Sequence, residues 1–218
     1  MSQFSCYRRK WATLLALSAL IPMPGWAKLP GSDSDPARIL VVGDSISAEY
    51  GIGRNTGWVA LLGRQLTSQG TKAEILNASI SGDTTSGGVS RLAVLLDKFR
   101  PDIVIIELGA NDALRGLSMD MSLSNLTQMV QRSKSAGAKV ILAGMQIPPN
   151  YGRDYVEAFK GVFTTVAKTE KVYLVPFLLE GVADQRSLFQ ADGLHPNESA
   201  QPIMTGNIMK VLAPLLKP

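Results

Sequence analysis

Residues 39–47, ILVVGDSIS, change character abruptly: four apolar residues give way to Gly43, Asp44 and Ser45. A strand covered on one side alternates apolar with polar, whereas an unbroken apolar run belongs to a strand buried on both faces. That is the pattern of a parallel sheet held between helices. The small polar residues that follow then leave the carboxyl end of the strand, the edge at which such sheets bind ligands.

Working outward, strand-like runs recur at 39–42, 73–77, 103–108, 140–145 and 172–175, each separated by a longer segment with helical spacing. Trp58, Leu61, Leu62 and Leu66 fall on one helical face, as do Leu92, Leu95, Leu96 and Phe99 ahead of Pro101. Further helices are predicted over 123–136, with Gly137 as the stop, over 155–168 and over 200–216. Strands alternating with helices predict an α/β protein: a three-layer α/β/α sandwich around a central parallel sheet of about five strands, with right-handed crossovers. QIPPNYGRD, at 146–154, is the one long, stiff loop.

The amino terminus reads differently. Arg8, Arg9 and Lys10 precede an apolar run from Trp11 to Ile21, followed by Pro22, Pro24 and Gly25-Trp26-Ala27. This is a secretory leader, and cleavage after Ala27 leaves residues 28–218 as a single domain in the periplasm or outside the cell. The run is shorter than the ~20 residues of a membrane span, and no longer apolar run follows, so no stable span is expected after leader removal. The leader carries three cations and no acid, so the formal charge falls from +4 to +1 on its removal. No basic cluster interleaved with aromatics remains, which argues against nucleic acid as a partner. The only cysteine, Cys6, lies in the leader, so the mature chain has neither disulfide nor thiolate chemistry. About 190 residues bury enough surface to fold as a monomer without such staples.

Three small polar clusters follow the first three strands: Gly43-Asp44-Ser45, Asn77 to Asp83, and Gly109-Ala110-Asn111-Asp112. All three fall on one edge of the predicted sheet. Near the far end stands Asp192-Gly193-Leu194-His195-Pro196, which contains the only histidine. A serine hydroxyl is a weak nucleophile until an imidazole removes its proton, and the imidazole works best when a carboxylate holds its other nitrogen. Asp192 and His195 are close enough in sequence for one tight turn to join them. Ser45 is then the candidate nucleophile. Acyl transfer also needs donors for a developing oxyanion. The Gly82 N–H, the Asn111 side-chain amide and the Ser45 N–H, at the start of an expected helix, are candidates, although Gly82 also suits a turn and Asn111 a helix cap.

Together, GDSIS, NASISGD, GAND and DGLHP, in this order, resemble the four blocks of the SGNH (GDSL-type) hydrolases. Over almost the whole mature chain the likeness extends to the bacterial periplasmic group of multifunctional thioesterase I, lysophospholipase and arylesterase enzymes. GWVALL, IVIIELGANDALRG, PPNYG, LVPFLLEGV and AQP also resemble that group. The resemblance implies a flavodoxin-like fold and hydrolysis of small-molecule acyl esters and thioesters through an acyl-enzyme, without cofactor or metal. It implies Ser45 as nucleophile, Asp192 and His195 as the rest of the triad, and Ser45, Gly82 and Asn111 as the oxyanion hole. It also implies that PPNYG, at 148–152, borders an acyl-chain groove. One departure is visible: relatives commonly carry Gly-Gly-Asn-Asp in the third block, where this chain has Ala110. A methyl group there is costly if the backbone needs positive φ, and otherwise narrows the site.

Other readings compete. Asp44, Asp83 and Asp112 would suit a divalent-metal phosphohydrolase if their carboxylates converged, although each is also placed to cap a helix. GIGRNTG lacks the spacing of a nucleotide-binding turn and reads as a loop; no G-x-S-x-G elbow surrounds Ser45. A carbohydrate deacetylase-type esterase or a non-catalytic secreted binding domain would use the same fold.

Overall fold

The computed structural model describes residues 35–216, so the expected leader at 1–27 lies outside the described residues. Its centre is one sheet of five parallel strands in the order β2-β1-β3-β4-β5. These are β1 (Ala37–Gly43), β2 (Ala73–Asn77), β3 (Ile103–Glu107), β4 (Lys139–Ala143) and β5 (Tyr173–Val175). Six α-helices connect and cover them: α1 (Trp58–Ser68), α2 (Thr85–Phe99), α3 (Ala110–Leu114), α4 (Met119–Ser135), α5 (Arg153–Glu170) and α6 (Gln201–Leu212). On one face α2, α4 and α5 pack side by side, and on the other α1 packs against α6, which gives the expected three layers. Among the described residues no helix is long and apolar enough to cross a membrane.

Burial explains the patterns. Residues 39–42 and 104–106 have no exposed surface, as their unbroken apolar runs require, whereas the edge strand β2 is half-exposed and reads weakly. The chain leaves β1 toward β2 on one side, then returns to place β3 on the other. The strand order therefore reverses between β1 and β3, the position at which open α/β sheets form their ligand crevice. The register pairs the last residues of these two strands, Gly43 with Glu107.

Besides shifts of up to four residues at the ends of α4 and α6, two helices depart from the sequence expectation. The second begins at Thr85, seven residues before Leu92, through Gly87 and Gly88, which weaken any helical signal. Gly88 is needed for contact: a Cβ there would lie 2.4 Å from Leu108 Cδ1, so α2 lies close against the sheet. The short α3 was not anticipated, because five residues are too few to show a period.

Candidate active site

Ser45 stands one residue beyond Asp44 at the end of β1, where a helix was expected to begin. Instead, residues 45–51 form turns. The Ala48 N–H donates to the Asp44 carbonyl at 2.9 Å, closing one helical turn, and Glu49, at φ 61°, ends it. The Glu49 carboxylate accepts the N–H groups of Asn55 at 3.0 Å and Gly57 at 2.9 Å, holding GIGRNTG as the loop it was read to be. Gly43 is a glycine for space rather than for turning. It has no positive φ, and a Cβ there would lie 2.7 Å from Ser47 Oγ and 2.8 Å from Glu107 Oε2.

The imidazole arrives from the other end of the chain on a short antiparallel loop. Phe189 bridges Pro196, the Gln190 N–H donates to the His195 carbonyl at 2.8 Å, and Gly193 turns the tip at φ 71°. The Gln190 side-chain amide then donates to the Tyr50 carbonyl at 2.8 Å and the Pro196 carbonyl at 3.1 Å, tying this loop to the Ser45 turn. Within the tip, Asp192 Oδ1 accepts the N–H groups of Leu194 at 2.9 Å and His195 at 3.0 Å. Its Oδ2 lies 2.7 Å from His195 Nδ1, and His195 Nε2 lies 3.1 Å from Ser45 Oγ. The Tyr50 ring flanks the imidazole, with centroids 4.5 Å apart. The two backbone N–H donors first, then the imidazole bond, hold the Asp192 carboxyl down at about 2, although its side chain is 42% exposed. A carboxylate, an imidazole and a hydroxyl thus stand in hydrogen-bonded series.

A cleft of about 900 Å³ opens over this series, and Ser45, Gly82, Asn111 and His195 all line it. Its apolar wall includes Ile46, Leu114, Met145, Ile147, Phe177 and Leu179, and the Pro148-Pro149 segment borders it. Gly82 turns at φ 77°, and its carbonyl accepts Arg115 Nη2 at 2.9 Å. Neither the Ser45 N–H nor the Gly82 N–H meets an acceptor among the described residues. Asn111 does not cap α3; Gly109 occupies that position, and the Asn111 amide donates to Asp44 Oδ2 at 3.1 Å and the Asp83 carbonyl at 3.0 Å. Ala110 opens α3 without positive φ and lines the cleft, so its methyl group narrows the site and strains no backbone.

The three acids of the metal reading do not converge. Asp83 is ion-paired with Arg91 at 2.8 Å. Asp112 reaches the start of α2, accepting the Thr85 N–H at 2.9 Å, together with the Thr85 and Ser122 hydroxyls. Asp44 is buried against Glu107, an acid the sequence reading passed over. Burial pushes the Asp44 carboxyl up to about 6. Burial, then the Asp44 charge, raises Glu107 well above the usual carboxylate range. The signal for Glu107 was present: it is the only charged residue of β3, IVIIE, a strand otherwise wholly apolar. Gln190, Tyr50 and Arg115 gave no comparable signal, because their contacts join segments distant in sequence.

Comparison with known proteins places this geometry among relatives. A model of the GDSL-like lipase/acylhydrolase family matches residues 41–201. The chain is similar to the esterase TesA of Pseudomonas aeruginosa, with 51% identity over 178 residues, 82% of this chain and 89% of that one. It is 41% identical over 178 residues to thioesterase 1/protease 1/lysophospholipase L1 of Escherichia coli (strain K12), covering 82% of this chain and 84% of that protein. Among solved structures, it resembles the psychrotrophic esterase EstA from Pseudoalteromonas sp., inhibited by monoethylphosphonate. That likeness has a TM-score of 0.78 at 38% identity, over 82% of this chain and 98% of that one.

Proposed function

Because this chain belongs to the GDSL-like lipase/acylhydrolase family, we propose that its chemistry is acyl transfer to Ser45 and then to water. It is an enzyme that acts on carboxylic ester and thioester bonds. The observation that carries the assignment of roles is the series Asp192 Oδ2 to His195 Nδ1 at 2.7 Å and His195 Nε2 to Ser45 Oγ at 3.1 Å.

In the first half-reaction His195 Nε2 takes the Ser45 proton as Oγ bonds to the substrate carbonyl carbon. Asp192 keeps the remaining imidazole proton on Nδ1 and stabilises the imidazolium that forms. The carbonyl oxygen, now negative, takes the Ser45 and Gly82 N–H groups. Asn111 joins them by turning one N–H away from Asp44 or Asp83. The intermediate collapses, His195 protonates the departing alcohol or thiol, and the acyl group stays on Ser45. In the second half-reaction His195 takes a proton from water, the hydroxide attacks the ester carbon, and Ser45 leaves with the proton returned to it. No step calls for a cofactor. The apolar wall of the cleft favours an acyl tail over a sugar, and so an acyl ester or thioester over a carbohydrate ester.

Residues 1–27 act as a secretory leader in this reading. The mature chain, residues 28–218, works as a single-domain monomer in the periplasm or outside the cell, with no nucleic-acid partner. Its support is the Arg8-Arg9-Lys10 start, the apolar run behind it and the near-neutral remainder. The experiment is labelling of folded protein with a serine-reactive alkyl phosphonate, followed by peptide mapping. Modification at Ser45 is expected, with Ser45→Ala unlabelled and at least ~10³-fold slower in kcat on an aryl ester. Label at another residue, or turnover by Ser45→Ala near that of the unmodified enzyme, would overturn the assignment.

A further inference from the structure

Beneath the nucleophile lies a second polar assembly that the acyl-transfer scheme does not use. Glu107 is the last residue of β3 and Asp44 the first beyond β1, and the register that pairs Gly43 with Glu107 brings the two acids together. They are 0% and 1% exposed. Glu107 Oε2 accepts the Ser47 hydroxyl at 2.7 Å and the Asp44 N–H at 3.3 Å. Ser47 Oγ accepts in turn from Trp58 Nε1 at 3.2 Å, and its carbonyl accepts Asn77 Nδ2 at 2.8 Å. Asp44 accepts the Ile46 N–H at 3.0 Å on Oδ1 and Asn111 Nδ2 at 3.1 Å on Oδ2. Glu107 Oε1 is buried without a hydrogen-bond partner among the described residues.

The charges around this pair do not neutralise it. Arg91, on α2, reaches in from the helical layer, but its guanidinium is paired with Asp83 and meets the Gly43 carbonyl only at 3.4 Å. Asp112 is bound to Thr85 and Ser122. His195 lies across Ser45 and is bound to Asp192. Two like charges held side by side away from water repel strongly, because little solvent screens them. The net gain from a hydrogen bond is small beside that repulsion. Two ionised carboxylates are therefore not a stable arrangement here, and the buried, unpartnered oxygen is the mark of a neutral acid.

We propose that Asp44 and Glu107 form a carboxyl pair sharing one proton, and that this pair positions the Ser45 turn and the Asn111 amide for acyl transfer. Glu107 is the protonated member and Asp44 the ionised one. A single negative charge then remains to hold two donors, the Ile46 N–H that shapes the nucleophile turn and the Asn111 amide beside the oxyanion site. A second charge would face the developing oxyanion. Burial raises both carboxyls, the Asp44 charge raises Glu107 further, and the bond with Glu107 lowers Asp44, in agreement with this division. Both are positioning residues, since each acts through another group. The proposal rests on the assignment of Ser45 as nucleophile.

The test combines infrared spectroscopy with kinetics on the mature protein. At neutral pH the wild type should show the carbonyl stretch of a buried, protonated carboxylic acid, and Glu107→Gln should lack it. Glu107→Ala should lower kcat by about 10²-fold with KM within about twofold, as misplacement of reacting groups does. Glu107→Gln, which keeps a neutral donor in the same place, should recover most of that loss. Absence of the band from the wild type overturns the proposal, because both acids are then ionised. Equal losses in the two variants also overturn it. If Glu107→Ala does not fold, the band and the Gln variant still decide. Phosphonate labelling of Ser45 in the wild type separates failure of the nucleophile assignment from failure of the carboxyl pair.

Discussion

Asp192 and Asp44 are the same side chain, each placed within a few residues of the group it serves, yet folding moves them in opposite directions. Asp192 sits in an exposed turn and is held down at about 2, whereas Asp44 is sealed beneath Ser45 and pushed up to about 6. Exposure alone would have left Asp192 unshifted. Two backbone N–H donors and the imidazole, all bonded to the ionised form, lower it. Asp44 also has donors, Ile46 and Asn111, but burial outweighs them. What decides a carboxylate's state in this fold is therefore the number of donors against the loss of water. The turn at 192–195 supplies a charged partner for an imidazole, and the floor at 44 and 107 carries one charge in place of two beside Asn111.

The largest effect comes from breaking the exposed side of this contrast. Asp192→Asn keeps an acceptor for the two N–H groups but offers His195 Nδ1 the wrong partner, and kcat should fall by about 10³-fold or more. Pre-steady-state acylation of an aryl ester would measure it, and a loss under tenfold would mean that Asp192 does not orient the imidazole. Next, Asn111→Ala removes the side chain that joins the buried floor to the cleft. It should cost about 3 kcal/mol of transition-state stabilisation, seen as a 10²- to 10³-fold fall in kcat. A change under threefold would remove Asn111 from the oxyanion hole.

The smallest effect, and the sharpest, is on stability. A Glu107 raised in the folded state takes up a proton that the unfolded chain releases near its ordinary value of 4.5, so wild-type stability falls as pH rises above that value. Glu107→Gln should therefore raise the melting temperature by several degrees at neutral pH and hardly at all below pH 4, by calorimetry across that range. Asp192 works with the opposite sign. Its lowered carboxyl adds stability that is complete above its ordinary 3.8 and lost as pH falls toward about 2. A gap between Glu107→Gln and wild type that does not widen with pH would contradict the raised state of Glu107.

Much of this molecule is legible in the chain. Unbroken apolar runs at 39–42 and 103–106 identified buried parallel strands, and a two-faced burial pattern needs no partner to be recognised. The clusters at Ser45, Gly82 and Asn111 were visible because small polar residues directly after apolar strands must gather at one sheet edge. Asp192 and His195 were visible as a local pair. Less was legible wherever the cause lay at a distance. Gly43 yields space to Glu107, 64 positions away, which nothing beside it in the chain announces. Ser45 was expected to open a helix, which Glu49 stops by bonding to Asn55 and Gly57. The start of α2 was hidden by Gly87 and Gly88, which weaken a helix but leave room for Asp83 at the first and for Leu108 and Met129 at the second.

The sequence by itself determined the layered α/β plan and which residues stand at the ends of its strands, because hydrophobic periodicity and small polar clusters are local properties. The tertiary structure alone decided the ionisation of the acids. Asp44 and Asp192 are indistinguishable as letters, and their states follow from which donors the fold brings within a few ångströms, and from how much water it leaves.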